Sequence, residues 1–221
     1  MRKMICTILL LGFFMIVPNT LQAEEETKNL EKTITRMVVI PFQAVIPEDK
    51  SSTAQCPICG KVNSSGNIVK GSEKIVEEIF IDKLRDLKNV KIIPQERAAG
   101  VYRRVSADSL KKPLSQIINK VGSELQADVL VVGFVYRYRE RVGYDYSAEH
   151  PASVTFEIHL ISVKDGNTLW HGIYDKTQKS LMEDVFQASS FFKGGAKWVP
   201  ARQLTKLGVD EIFKTFPGFG D

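Results

Sequence analysis

Two cysteines at a C-x-x-C spacing are the residues of this sequence whose side chains could do chemistry. Cys56 and Cys59 stand in the segment CPICG, and Cys6 is the third cysteine of the chain. Thiols at this spacing can form a redox pair, half of a zinc site, or a local disulfide that fastens a loop. The proline and the glycine of the segment give it the form of a zinc knuckle.

Each of these chemistries makes a demand on the neighbouring sequence. Redox catalysis usually places the first thiol at the start of a helix, but the polar residues after Cys59 show no helical period. A closed zinc site needs four ligands. His150, His159 or His171 could complete one only if the cysteine segment folds back onto the later strands. We therefore expect a structural disulfide or a pair of free thiols, with no metal and no cofactor, and keep thiol-redox chemistry and zinc binding as alternatives.

The histidines lie where the sequence alternates between apolar and polar residues. The predicted strand 152–163 has an apolar face and a polar face, formed by Val154, Phe156, Ile158 and Leu160 and by Thr155, Glu157 and His159, respectively. A three-residue turn at 165–167 preserves the alternation, so His159 and His171 could share one face of a hairpin. Two histidines by themselves are a weak metal signal, and half-buried, hydrogen-bonded strand histidines are expected. The candidate metal ligands are thus Cys56, Cys59, His159 and His171.

The amino terminus has the layout of a secretory signal peptide. Arg2 and Lys3 precede an apolar block, residues 5–17, that is too short to span a bilayer core of about 30 Å. We expect cleavage after Ala23, a flexible lead-in over 24–35, and a soluble periplasmic protein with no transmembrane span. No cysteine at the cut offers a lipid attachment site. The formal charge of +4 for the whole chain falls to about +2 after cleavage, which argues for neither nucleic acid nor an anionic membrane as partner.

A polar stretch follows the apolar start of the predicted strand 127–141. There the strand is expected to leave the covered part of the sheet, and its arginines and tyrosines to face solvent. These arginines and tyrosines superficially resemble a nucleic-acid-binding stripe, but Glu140 interrupts the positive charge, and the protein is predicted to lie outside the cytoplasm. Exposed Arg and Tyr are enriched in the hot spots of protein interfaces. The candidate partner-binding residues are Tyr136, Arg137, Tyr138, Arg139, Arg141, Tyr144 and Tyr146.

The sequence contains no enzyme motif of the common classes. A glycine-rich phosphate loop, the G-x-S-x-G elbow and the H-E-x-x-H helix are all missing. Adjacent acidic residues such as Glu77 and Glu78 fall on predicted helix faces and are expected to be solvated. We expect no catalytic residues and no enzymatic activity.

Hydrophobic periodicity predicts a single mixed α/β domain over residues 36–216, with a tail at 217–221. About five strands are expected, as a βαβ unit followed by an antiparallel three-stranded meander, with helices packed on them. Residues 43–71 form a long loop insertion without a usable period, and loops of this length are usually functional or disordered. The predicted strands cover 36–42, 90–94, 127–141, 152–163 and 168–175. The predicted helices begin at Ser72, capped by that serine, at Gln95, interrupted at Gly100, and at Pro113, and two closing helices cover 181–192 and 200–216.

Three segments resemble a group of bacterial envelope proteins. VVIPF at 38–42, LQADVLVVGFVYRYRERVG at 125–143 and PASVTFEIHLISVKDGNTLWHGIYDKTQ at 151–178 are similar to CsgG, to LpoB and to the amino-terminal domain of TolB. The resemblance implies a TolB-amino-terminal-like fold and a non-catalytic accessory role. Such proteins bind other proteins at the outer membrane or activate peptidoglycan synthesis.

The chain departs from this group in three respects. It lacks the lipidated cysteine after the signal, and it lacks apolar hairpins long enough to form a CsgG-type pore. The pattern of the group also leaves the C-x-x-C insertion unexplained. Together these features predict a periplasmic accessory protein that binds an envelope partner, associated with the outer membrane through that partner.

Overall fold

The computed structural model describes residues 35–47, 51–108, 112–179 and 197–218, which form ten strands and four α-helices. The strands are β1 (Thr35–Val39), β2 (Gln43–Ala44), β3 (Thr53–Gln55), β4 (Val62–Ser64), β5 (Val90–Ile92), β6 (Val129–Arg139), β7 (Val142–Tyr144), β8 (Ser147–His150), β9 (Ser153–Ser162) and β10 (Thr168–Thr177). The helices are α1 (Ser72–Arg85), α2 (Gln95–Ala107), α3 (Leu114–Leu125) and α4 (Ala201–Ile212), the last followed by a 3-10 turn (Phe213–Thr215). The predicted signal peptide and the predicted helix 181–192 lie outside the described residues.

The main sheet is mixed and has the strand order β10-β9-β6-β1-β5. β1 is parallel to β5 and β6, as the predicted βαβ unit requires, and β6, β9 and β10 form the predicted antiparallel meander. β2 is a sixth strand, which pairs with β6 beyond the end of β1. The predicted mixed α/β fold is confirmed, with six strands in the main sheet.

Helices cover the sheet on both faces, which is why β6 is almost continuously apolar. One core lies under α1 and α4, and alternate residues of β6 such as Val131 contribute to it. The other lies under α2 and α3 and takes the intervening residues, such as Leu130 and Phe134. Within the described residues, no helix is both long and apolar enough to cross a membrane.

A β-bulge in β6 overturns the expectation that the strand becomes exposed at Tyr136. Val135 pairs with Phe156 and Arg137 with Thr155, so Tyr136 is the extra residue. The extra residue breaks the alternation and sends Tyr136 and Tyr138 to opposite cores, where both are fully buried.

Two helix ends also differ from the predictions. Ser72 is the first residue of α1 and does not cap it: the capping position is Gly71, with φ of 84°. The buried Ser72 hydroxyl has no hydrogen-bond partner in the part of the chain that the structure describes. α2 continues through Gly100 to Ala107. An interior glycine costs only about 1 kcal/mol, and the core contacts of Ala98 and Val105 hold the helix together across it.

Residues predicted as loops contain two short ribbons. Within the insertion 43–71, β3 pairs antiparallel with β4, and the two strands carry Ala54 and Asn63, respectively, into the interior. The predicted loop 143–151 contains most of β7 and β8, which pair with each other in a separate two-stranded sheet. Strands of three or four residues are too short to show a hydrophobic period, so sequence alternation could not reveal them.

Gly133 should be intolerant of a methyl group, because the Phe42 ring lies directly over it. A Cβ at this position would meet three Phe42 ring carbons at 2.5–2.6 Å. We expect Gly133→Ala to lower the free energy of unfolding by about 1–3 kcal/mol, the usual cost of overpacking. Gly100→Ala is the matched control. It has open space in a helix interior and should gain about 0.5–1 kcal/mol. Chemical denaturation of both variants checks the pair, and a stabilised Gly133→Ala would contradict the packing described.

Candidate functional site

A polar cluster lies where the insertion folds back onto the meander. It consists of Cys56, Cys59, Glu157, His159 and His171, contributed by a turn before β4 and by the centres of β9 and β10. Glu157 and His159 are fully buried, whereas His171 is partly exposed. His159 pairs directly with His171 across the two strands, and their ring centroids are 4.7 Å apart. The predicted sharing of a face by the two histidines is confirmed, although His159 is fully rather than half buried.

A tight turn over residues 56–60 positions the two thiols. The Gly60 amide donates to the Cys56 carbonyl oxygen at 3.0 Å, and Gly60 adopts φ of 73°, a conformation that favours glycine. The amides of Ile58 and Cys59 lie 3.4 and 3.5 Å from Cys56 Sγ and donate to it. Both cysteines are free thiols, Cys56 buried and Cys59 exposed. Residues 57–59 form a turn and not the start of a helix, as the polar sequence predicted.

Four side-chain atoms of the cluster converge on one point. Cys56 Sγ is 3.3 Å from His159 Nε2, and Cys59 Sγ is 3.4 Å from Glu157 Oε1. His159 Nε2 is 3.2 Å from the same carboxylate oxygen. All four ligand atoms lie within 4.8 Å of one another. His171 Nε2 stands next to this group, 2.5 Å from Glu157 Oε1.

The second carboxylate oxygen of Glu157 is held from the opposite side. Tyr136 Oη donates to Oε2 at 2.6 Å and Asn63 Nδ2 donates at 2.7 Å. Tyr136 reaches it because it lies on the same face of β6 as Phe134, which pairs with Glu157, and Asn63 reaches it because β4 packs against β6. The orientation of Glu157 is therefore fixed, with Oε1 turned toward the thiols and imidazoles.

The buried groups carry opposite charges. Burial by itself would raise the pKa of Glu157, but hydrogen bonds from His159 and Tyr136 hold it well below its usual range. Burial would lower the pKa of His159, yet hydrogen bonds with Cys56 and Glu157 raise it to about 9. Burial, together with the hydrogen bond to Glu157, raises the pKa of Tyr136 far above its ordinary value. Glu157 is thus a carboxylate at neutral pH, with an imidazolium beside it.

Sequence reasoning found four members of this cluster and missed three groups that orient them. Cys56, Cys59, His159 and His171 were candidate ligands, and the structure brings them together. The third histidine considered, His150, is exposed on β8 and lies outside the cluster. Glu157 and Asn63 were not candidates, and Tyr136 was expected at a surface. The available signal was Glu157 itself, a carboxylate two residues before His159 on the same predicted strand face.

The candidate partner-binding residues divide into buried, tethered and exposed groups. The tyrosines Tyr136 and Tyr138 are buried and present no surface. Arg137 forms an ion pair with Asp175, and Arg139 donates to the Pro151 carbonyl at 3.3 Å.

Arg141 is tethered as well, but the two tyrosines beyond it are not covered. Arg141 is 17% exposed and binds Asp145 at 2.6 Å and the Trp198 carbonyl oxygen. Tyr144 and Tyr146 are 82% and 77% exposed. The arginines therefore hold the end of β6 and the ribbon beyond it in place, and the two tyrosines protrude.

Comparisons with known proteins give likenesses of structure only. No family model and no curated protein matches the chain. Among solved structures, hypothetical protein CT253 from Chlamydia trachomatis matches with TM-score 0.47 and 12% identity, over 85% of this chain and 98% of that one. The PelC dodecamer from Paraburkholderia phytofirmans matches with TM-score 0.46 and 13% identity, over 85% and 89%. The LpoB C-terminal domain from Salmonella enterica matches with TM-score 0.38 and 9% identity, over 68% and 95%. LpoB, a member of the group that the sequence resembles, is thus among the structures similar to this chain.

Proposed function

We propose that this chain is a non-enzymatic accessory protein of the bacterial cell envelope that binds a partner protein through the β7–β8 ribbon. The observation that carries the proposal is the exposure of Tyr144 and Tyr146 on that ribbon. The ribbon also exposes Val142, and the insertion exposes the apolar side chains of Ile46 and Val62. Large aromatic and apolar side chains that are exposed to solvent on ordered backbone are typical of a protein-binding surface. They form the core of the interface once the partner is bound.

The ribbon is ordered before it binds, which favours affinity. β7 and β8 pair along Val142–Tyr144, and Arg141 anchors their base to Asp145 and to the backbone at Trp198. The ammonium group of Lys197 lies over the Tyr146 ring, 5.9 Å from its centroid. Because these contacts fix the backbone, a partner immobilises only the two phenol side chains, each with few rotatable bonds.

The amino-terminal pattern of the sequence supports the proposed location in the cell envelope. Arg2, Lys3, the apolar block and Ala23 have the order of an export signal. The resemblance of the three quoted segments to envelope proteins favours the same compartment. The partner is therefore sought among proteins of the envelope.

Thiol-redox chemistry, the alternative function, is less well supported by the geometry. Exchange with a disulfide needs an accessible thiolate activated by its surroundings. The thiol that receives the amide hydrogen bonds is Cys56, and it is only 2% exposed. Cys59 is exposed, but its S–H group is engaged as a hydrogen-bond donor to the Glu157 carboxylate.

Site-specific photocrosslinking tests the binding proposal. A photoreactive phenylalanine analogue at position 144 or 146 should crosslink to one discrete envelope protein in cells. The same analogue at Leu169, which is 52% exposed on β10, is the matched control and should not. With the crosslinked protein purified, Tyr144→Ala/Tyr146→Ala should weaken binding at least tenfold, about 1.4 kcal/mol, while Leu169→Ala leaves it unchanged. Equal crosslinking at all three positions, or equal affinity of the variants, would refute the assigned surface.

A further inference from the structure

We propose that Cys56, Cys59, His159 and Glu157 together bind one zinc ion, which fastens the insertion to the sheet. This site is independent of the partner-binding ribbon, so either proposal can fail without the other. It is built from two regions of the chain about 100 residues apart, the turn at 56–60 and strand β9. Their ligand atoms all lie within 4.8 Å of one another.

The distances between ligand atoms fit a tetrahedral ion. With Zn–S about 2.3 Å and Zn–N or Zn–O about 2.0–2.2 Å, neighbouring ligand atoms of a tetrahedron lie roughly 3.3–3.8 Å apart. The Cys56 sulfur lies 3.3 Å from the His159 nitrogen, and the Cys59 sulfur lies 3.4 Å from the Glu157 oxygen. The His159 nitrogen and the Glu157 oxygen are 3.2 Å apart. Three of the six pairs of ligand atoms are thus already spaced close to the distances of a coordination sphere, and the remaining pairs lie within 4.8 Å.

Protons alone satisfy these groups poorly. A single hydrogen on His159 Nε2 can align with Cys56 Sγ or with Glu157 Oε1, but not well with both. A zinc ion displaces the Nε2 proton and the two thiol protons, which pass to solvent, and binds Nε2, both sulfurs and Oε1, so four bonds replace this competition.

The surroundings prepare each ligand for a cation. The amides of Ile58 and Cys59 donate to Cys56 Sγ, and these are the N–H···S hydrogen bonds that a zinc-bound sulfur accepts. Tyr136 and Asn63 occupy Glu157 Oε2 and leave Oε1 to face the other ligands. His171 donates to Oε1 from the edge of the site. Hydrogen bonds of this kind orient ligands at protein metal centres and raise their affinity.

The donor set selects the metal and its role. Two thiolates with an imidazole suit zinc and are poor ligands for magnesium or calcium, which prefer oxygen alone. Four protein ligands leave no open position, and three of them are buried. Closed sites of this type are structural, whereas catalytic zinc keeps a position for water.

A structural ion explains how so small a ribbon stays ordered. β3 and β4 have three residues each, and a ribbon of this size is not stable in water unaided. Its buried contributions to the core are few, chiefly Ala54 and Cys56. Because metal binding free energy becomes folding free energy, zinc would hold residues 53–64 over β6 and β9.

Metal analysis of the purified full chain tests the site. One zinc per chain is expected after purification under reducing conditions, and X-ray absorption should show two sulfur ligands near 2.3 Å and two lighter ligands near 2.0–2.2 Å. Cys59→Ser is the informative variant. Its side chain is exposed, so it should fold normally while zinc affinity falls at least about a hundredfold in a chelator competition. His150→Ala, a histidine outside the cluster, should keep full zinc.

Several outcomes would overturn the zinc site. One is a Cys56–Cys59 disulfide that, once reduced, yields a chain without tight zinc binding. Another is zinc bound equally well by Cys59→Ser, which marks an adventitious ion only. If that variant fails to fold, cobalt added to the parent chain decides: visible bands of tetrahedral, thiolate-bound cobalt support the site, and an octahedral spectrum refutes it.

Discussion

Phe156→Ala is expected to lower the free energy of unfolding by about 3–5 kcal/mol, the usual cost of removing a buried phenylalanine. Phe156 lies at the centre of β9, in the core beneath α1 and α4, and is fully buried. Its ring packs against Tyr174 of β10, with centroids 5.5 Å apart. The truncation therefore leaves a cavity between two paired strands of the main sheet, which can collapse only partly. Denaturant unfolding monitored by circular dichroism measures the loss.

The neighbouring residue provides a control of equal burial and different chemistry. Thr155 is also fully buried, on the opposite face, where its hydroxyl donates to Asp175 Oδ1 at 2.9 Å. Thr155→Ala removes a small group and one hydrogen bond, and Asp175 keeps its ion pair with Arg137. A loss of about 1 kcal/mol or less is expected. Equal losses for the two variants would show that the assignment of the strand faces is wrong.

The meander was predictable because its alternation is long and regular. The first eight residues of β9, from Ser153 to Leu160, alternate without a break, and Trp170 and Tyr174 of β10 share the predicted face. β6 was only half predictable. The run VLVVGFVYRYR carries no mark of the extra residue at Tyr136, and a strand pattern continued through a bulge assigns every later side chain to the wrong face.

Most residues of the polar cluster could be predicted from the sequence, but their arrangement in space could not. C-x-x-C and the paired histidines are local patterns, and the sequence supplies both. What joins Cys56 to His159 is a fold-back across 103 positions by an insertion without a hydrophobic period. Glu157 was placed correctly beside His159, but its role depends on partners from β4 and β6 that no single-strand pattern contains.

Glu157→Ala should cost about 3–5 kcal/mol even without metal, the loss typical of removing one partner from a buried ionic network. Among the described residues, Glu157 receives hydrogen bonds from Tyr136, Asn63, Cys59 and His171 and forms an ion pair with His159. The substitution leaves the buried Tyr136 hydroxyl and Asn63 amide without an acceptor and His159 without its counter-ion. Unfolding is measured with reductant and excess chelator, so that loss of zinc contributes nothing to the difference.

Glu157→Gln separates charge from hydrogen bonding in this network. The amide oxygen can still accept from Tyr136 and Asn63 on the Oε2 side, while its NH₂ group replaces the charged oxygen that faces the thiols and imidazoles. We expect it to recover about half of the loss, since hydrogen bonds to charged groups are worth more than neutral ones. Glu149→Ala, at an exposed position on β8, should stay within about 0.5 kcal/mol of the parent. A loss below about 1 kcal/mol for Glu157→Ala would mean that water or neighbouring groups replace the carboxylate, and that the insertion is not held to β9 by this residue.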